Sequence, residues 1–340
     1  MQDGMRHTGT YMKSSNEKIW MITGLLLLIA CSLFGVLAGN SSVGTKDLLS
    51  VLLGSTQSDT ATSIILFDIR IPRICAAIIC GAALALSGLL MQEALSNPLA
   101  SPSIMGVNNG AGFFVLLSVV IFGHSLPART LMAFLGAIAS AGLVFVMSRL
   151  AGSSKNILIL SGVAVSALMS AGINFCITVW PDTVYDKAAF QIGSLQGIQA
   201  GSLVITIVVV LITLFFSLMI SPKIELFALG DEVAFGVGLP VRTYRFMTIM
   251  AAVILAATVV SICGLISFVG LIVPNAIKRI DISSFKSRMI LTMIWGSNLL
   301  LFGDLFAKNI SYPYELPVGM LISLIGAPFF IILLAKRHRG

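Results

Sequence analysis

The sequence predicts an all-α, polytopic membrane protein with about ten transmembrane helices, and three observations carry that prediction. Of 340 residues, 57% are hydrophobic and only 10% are charged, where a soluble domain carries roughly 25% charged residues. The mean hydropathy is +1.01. The apolar residues gather in runs of about 20, the length of helix that crosses a bilayer core. Fourteen acidic and 21 basic side chains could not cover the surface of a soluble enzyme of this size. The net charge of +7 sits in short clusters between apolar runs, which is a membrane pattern and not a phosphate-binding patch.

Ten runs are expected to span: 19–39, 74–93, 104–122, 129–149, 157–180, 202–221, 245–262, 265–280, 289–307 and 317–335. In the first, Lys13 and Lys18 precede Leu28-Ile29-Ala30-Cys31, a pattern that also fits a cleaved lipoprotein signal. The polytopic remainder favours a first helix. Two runs are weak: 104–122 contains Asn108 and Asn109, and 265–280 is short, contains Pro274 and ends in Lys278 and Arg279.

The positive-inside rule arbitrates, because dropping one crossing inverts every later loop. With ten spans and a cytoplasmic N-terminus, 15 of the 21 basic residues fall inside. Omitting 265–280 leaves 9 inside, and omitting 104–122 leaves 6. Both are therefore expected to cross, with both termini cytoplasmic. The layout is a tail over 1–18, one permease-like domain over 19–335 with a cytoplasmic loop at 222–244, and a basic tail over 336–340.

The span centres lack Asp, Glu, Lys, Arg and His; the nearest exceptions, Glu93, Arg149 and Asp304, lie close to expected helix ends. Asp304 precedes Lys308 by one helical turn, a favourable pairing distance. Proton- or ion-coupled transporters place ionisable groups within their spans. Small residues run through the spans instead, as in Gly81-Ala82-Ala83 and the GxxxG spacing of Gly106 with Gly110, and allow close helix packing. Gly193 and Gly197 share that spacing outside a span. Cys31, Cys75, Cys80, Cys176 and Cys263 lie in apolar runs without a zinc-type spacing and read as packing residues. His7, His124 and His338 do not cluster, and Met247 with Met250 reads as packing, so neither a metal site nor a cofactor is expected. No catalytic residue is expected either, since no Ser/His, HExxH or paired-Asp arrangement lies in the spans.

No GxxxxGK[ST] phosphate loop is present, so nucleotide hydrolysis by that route is excluded. The 222–244 loop is too short for a nucleotidase domain of about 100 residues or more. A partner subunit supplies the energy, or none is used. Within the loop, apolar residues alternate with acids and glycines in helix-sized pieces that need a partner surface or the membrane interface to cover them.

These residues resemble the FecCD family, the permease subunits of ATP-binding-cassette importers for iron-siderophores, haem and cobalamin. The resemblance covers nearly the whole chain. It rests on Ile69-Arg70-Ile71-Pro72-Arg73 leading into Gly81 to Gly88, Gln92, Asn97-Pro98-Leu99-Ala100 with Pro102, and Gly106-Val107 through Gly112. Further on come Ala228-Leu229-Gly230, Gly264 to Pro274, Glu315-Leu316-Pro317-Val318-Gly319 and Gly326-Ala327-Pro328-Phe329.

The resemblance implies a type II importer permease fold that dimerises with an identical or paralogous chain, takes two ABC ATPase subunits inside and meets an extracytoplasmic substrate-binding protein outside. Arg70, Arg73 and Lys308 would form the outer docking surface, with membrane anchoring as the alternative. Lys308 stands where family members commonly have Arg, which removes the bidentate fork. Leu229, Gly230, Asp231 and Glu232 would lie at the ATPase contact. Asn97, Pro98 and Leu99 would form an inner gate, or an ordinary capping turn. Asn275 replaces a frequent family His, so a titratable role there is not expected. The reading is an importer of an iron complex, by alternating access; the alternatives are a secondary transporter and a non-transporting membrane scaffold.

Overall fold

The computed structural model describes the backbone over 3–37, 60–152, 154–310 and 314–337, and side chains over 17–37, 62–152, 154–310 and 314–332. Among the described residues every regular element is helical. Helix α1 (Asp3–Leu37) takes the tail expected over 1–18 into the same helix as the first span. A short helix, Thr60–Ile64, and a π-helical turn, Ile65–Arg70, lead into α2 (Ile71–Leu95). Then follow α3 (Val107–Phe122), α4 (Leu126–Leu150), α5 (Lys155–Val179), α6 (Val184–Ile192) and α7 (Ala200–Ala228). The chain ends with α8 (Asp231–Gly236), α9 (Val241–Cys263), α10 (Val269–Ile277), α11 (Phe285–Ile310) and α12 (Val318–Arg337).

Among the described residues, seven helices are long and apolar enough to cross a membrane, while α3 and the 318–332 part of α12 are shorter apolar helices. The eighth expected crossing, 265–280, differs from a regular helix. Gly264 to Ser267 has no regular secondary structure and only the nine residues of α10 are helical. Its free backbone groups are met by protein: Leu265 N–H donates to Phe190 O at 2.9 Å, and Cys263 O accepts from Ser194 N–H at 2.8 Å. Irregular backbone at membrane depth is tolerated only where protein covers it in this way. The segment still runs from one end of the bundle to the other, from Phe190 to an ion pair between Lys278 and Glu93.

Helix α2 is the axis. It packs against α11, α9, α10 and α7, and every residue from Cys80 to Leu95 is buried. Its small residues make this possible. A Cβ on Gly88 would collide with the backbone carbonyl of Gly270 in α10, and one on Gly81 with that of Gly296 in α11. Such backbone contact draws membrane helices together by dispersion where no hydrophobic effect acts between them. Gly110, from the GxxxG spacing, is similarly in contact with α4 at Gly136 and Ser140. The Gly193/Gly197 spacing falls in the loop after α6. Trp20 of α1 meets Trp295 of α11 edge-to-face at 5.6 Å, docking α1 on the outside of this core.

The expected 222–244 loop begins later than the sequence pattern suggests, because α7 continues through Pro222 to Ala228. Only α8 and its flanking turns remain between α7 and α9.

Candidate functional site

Polar chemistry collects at the two ends of α2. Arg73 and Glu93 lie about 30 Å apart at roughly 1.5 Å per residue.

At the first end, the Arg73 guanidinium makes a two-pronged contact with Asp304 of α11, Nε to Oδ2 at 2.8 Å and Nη2 to Oδ1 at 3.0 Å. Its Nη1 donates to Glu315 Oε2 at 2.6 Å, and Gln196 Nε2 donates to the same oxygen at 2.7 Å. The Arg73 and Asp304 side chains are 11% and 5% exposed. Burial pushes the Glu315 carboxyl up, but hydrogen bonds from Arg73 and Gln196, with the charges of Arg73 and Lys308, hold it below the usual carboxylate range. Arg70 is 3% exposed and donates to Val36 O at 2.6 Å. Asp68, Ile69, Arg73, Gln196, Gly197 and Glu315 line a cleft of about 210 Å³ here.

The structure therefore brings Arg70, Arg73 and Lys308 to one end but differs from a surface of free cations. Arg70 and Arg73 point into the protein. The carboxylate of Asp304 takes Arg73 from another helix as its hydrogen-bond partner instead of Lys308 one turn away, because the planar fork matches a carboxylate and an ammonium does not. Lys308 acts on Asp304 and Glu315 through its field.

At the second end, α2 stops at Ser96, which has left-handed backbone (φ +49°). Ser96 N–H donates to Glu93 O at 3.2 Å and Asn97 N–H to Gln92 O at 3.0 Å, closing the orphan carbonyls. Asn97 Oδ1 then accepts from Leu99 N–H at 3.0 Å, an Asx turn across Pro98. Asn275 Nδ2 donates to Pro98 O at 2.9 Å, tying the turn to α10. Glu93 pairs with Lys278 at 3.1 Å and lies 4.0 Å from Arg288.

Asp231, first residue of α8, accepts from Arg245 Nη2 at 2.5 Å and from Lys155 Nζ at 3.3 Å. Burial raises its pKa, but the hydrogen bond and charge of Arg245, with those of Lys155, outweigh that and hold it low. Arg245 also donates through Nε to Ala94 O at 2.9 Å, and Lys155 to Ser96 Oγ at 2.9 Å. Gly230 and Glu232 flank this carboxylate. Around it, Leu229, Val233, Phe235 and Val237 are 69%, 52%, 78% and 65% exposed, while Ala234 is buried.

Between the ends, Ser101, Ser103, Asn108, Ser267, Phe268 and Leu271 contribute to a cavity of about 220 Å³. Its polar lining is hydroxyl and amide. The five cysteines are free, with Cys80 Sγ 3.5 Å from Cys263 Sγ where α2 crosses α9. Among the described residues no three His, Cys, Asp or Glu side chains are placed to hold a metal ion.

Sequence reasoning missed the Arg73/Asp304/Glu315 cluster and the Lys155/Asp231/Arg245 cluster. The signal was available for the first: a lone acid inside an apolar run, such as Asp304, requires a partner. The second links positions far apart in sequence, with nothing local to mark it.

A match to the FecCD transport family covers residues 26–336. The chain is 31% identical to the Fe(3+)-citrate import system permease protein YfmD of Bacillus subtilis, over 95% of this chain and 96% of that one. It is 31% identical to the ferric enterobactin transport system permease protein FepG of Escherichia coli, covering 94% and 97%, and 34% identical to the Fe(3+) dicitrate transport system permease protein FecD of Escherichia coli, covering 92% and 96%. A solved inward-facing structure, described as of metal-chelate ABC transporter type, superposes with a TM-score of 0.81 at 29% identity, covering 93% of this chain and 98% of that one. Apolar helices, helix order and matched length agree: this multi-pass membrane chain belongs to the FecCD transport family.

Proposed function

We propose that this chain is the permease subunit of an ATP-driven importer of a ferric chelate, working as a dimer by alternating access. The observation that carries the reading is the α8 segment. Four large apolar side chains stand in the open around an acid pinned by two cations, a surface that buries favourably only against a partner. That partner is an ABC ATPase subunit, with Leu229, Gly230, Asp231 and Glu232 at the contact. The permeases for ferric citrate and ferric enterobactin among its relatives support iron chelates as cargo.

The Glu93 end faces the cytoplasm, with both termini. Lys155, Arg245, Lys278 and Arg288 gather there, as the positive-inside rule requires. The Arg73 end faces outward and receives the substrate-binding protein near Arg70, Arg73 and Lys308. A docking carboxylate competes with Glu315 for Arg73. The turn at Asn97, Pro98 and Leu99 narrows the inner mouth.

Purification from the native membrane in mild detergent, followed by mass spectrometry, tests the assembly. Recovery of an ABC ATPase at one copy per permease, and ATP-dependent uptake of ferric citrate or a ferric hydroxamate by reconstituted vesicles, is expected. A folded chain that never brings an ATPase with it, even with non-hydrolysable nucleotide, overturns the reading.

A further inference from the structure

We infer that Lys155 and Arg245 are positioning residues that carry a displacement of α8 to the turn after α2, so that the docked segment and the inner turn move as one unit. The inference rests on the ATPase-docking reading of α8.

The geometry is a double bridge. Lys155, at the start of α5, reaches Asp231 on one side and Ser96 on the other, at 3.3 and 2.9 Å. Arg245, in α9, reaches Asp231 on one side and the Ala94 carbonyl on the other, at 2.5 and 2.9 Å. Two cations from two helices thus join one carboxylate of α8 to the last turn of α2. Among the described residues, both ion pairs of α8 run through Asp231.

Each bridge has a defined chemistry. The α2 C-terminus presents carbonyl oxygens and the negative end of its dipole, which favours a cation there. Arg245 is steadied by the Phe227 ring 6.0 Å from its guanidinium carbon, so it is fixed to α7 as well. On the far side, the turn is tied to α10 through Asn275 and Pro98, and Glu93 is tied to Lys278. The node is also locally strained: Ser96 is a non-glycine residue at φ +49°, a conformation that a side chain with a Cβ disfavours and that persists only where surroundings enforce it. A single exposed ion pair would be worth little to stability. Here the pairs fix relative position, and the quantity they control is the coupling of two segments.

The test uses the complete complex, with ATPase and binding protein, in proteoliposomes, and reads cargo delivered per ATP hydrolysed. Lys155→Met cuts one bridge while leaving Asp231 with Arg245. Hydrolysis is expected to stay near the wild-type rate while the delivery ratio falls by about fivefold or more, the scale of an ordinary coupling free energy. Ser96→Gly is the control for folding: it removes the hydroxyl but relieves the left-handed backbone, so thermal stability is expected to hold or rise while the ratio falls. An unchanged ratio in both variants, or transport and hydrolysis falling in parallel, overturns the inference. Absence of ATPase from the wild-type preparation overturns the docking reading itself, and the inference with it.

Discussion

The Arg73 cluster gives the sharpest quantitative expectation. Asp304→Leu removes the two-pronged partner of a guanidinium whose side chain is 11% exposed, leaving it with Glu315 at 2.6 Å. Breaking a buried pair from one side costs about 3–5 kcal/mol, because an uncompensated charge stays behind. The surviving Glu315 contact puts Asp304→Leu near the lower end, about 3 kcal/mol. Arg73→Met orphans Asp304, whose side chain is 5% exposed, and costs about as much. The double variant is expected to behave differently. Both charges are gone, two apolar side chains of similar volume fill the site, and Glu315, 25% exposed, keeps Gln196 and solvent. Replacing a buried pair with packed apolar groups is near neutral in other proteins, so the double variant should recover to within about 1–2 kcal/mol of wild type. The interaction free energy from the cycle is then about 4–5 kcal/mol, well above the roughly 0.5 kcal/mol scatter of independent sites. Thermal denaturation of the detergent-solubilised chain, followed by the fraction that stays monodisperse, measures it. A double variant as unstable as the sum of the two singles would refute the account, showing that Arg73 and Asp304 act separately rather than as one coupled pair.

Three further expectations follow from particular contacts. Gly88→Ala places a methyl group in the Gly270 carbonyl, and since neither backbone can retreat, destabilisation of about 3 kcal/mol or more and loss of monodisperse protein are expected; near-normal yield would contradict the crossing. Phe235→Asp changes a side chain 78% exposed, so stability should move by no more than about 0.5 kcal/mol while ATPase co-purification is lost; retention of the ATPase removes α8 from the contact. Asp231 has a depressed pKa, so its contribution is complete above the unfolded carboxylate value of about 4 and is lost as pH falls through the lower native value; the stability difference between wild type and Asp231→Asn should therefore be constant from neutral pH down to about 5 and shrink below that, and a difference growing toward acid pH would reverse the sign.

Much of the architecture is legible in the sequence because the bilayer reads composition directly. Apolar runs mark the seven helices long enough to cross a membrane and the two shorter apolar helices among the described residues, and lysine and arginine clusters sort to the two ends of α2, where Arg73 and Glu93 mark the separation. The segment 265–280 escapes that reading. Its irregular start is held by the hydrogen bonds of Leu265 N–H to Phe190 O and of Ser194 N–H to Cys263 O, and no local pattern encodes a hydrogen bond to a residue 75 positions away. The same limit applies to the candidate site. Arg70 and Arg73 look like outward cations in a linear sequence, yet their burial is decided by Val36, Asp304 and Glu315. The 222–244 loop stands out in the sequence by its alternation of apolar residues with acids and glycines, whereas nothing local ties Lys155 or Arg245 to Asp231.

The packing of α2 also limits how access can alternate. A helix buried throughout from Cys80 to Leu95, in backbone contact with α10 at Gly270 and α11 at Gly296, cannot turn about its own axis without driving Cβ atoms into carbonyl groups. Dense interiors respond to load by switching between discrete arrangements, not by continuous deformation. The parts free to switch are those whose contacts are polar and peripheral: α8 and the turn over 96–99. The turn meets the buried helix α10 at Pro98, where Asn275 donates its hydrogen bond. Asn275→Ala removes that donor at a cost of about 1 kcal/mol without touching the α2 crossings. If alternation is confined to this periphery, the variant should keep its fold and its ATPase while leaking cargo without ATP; unchanged tightness would place the closing element elsewhere in the bundle.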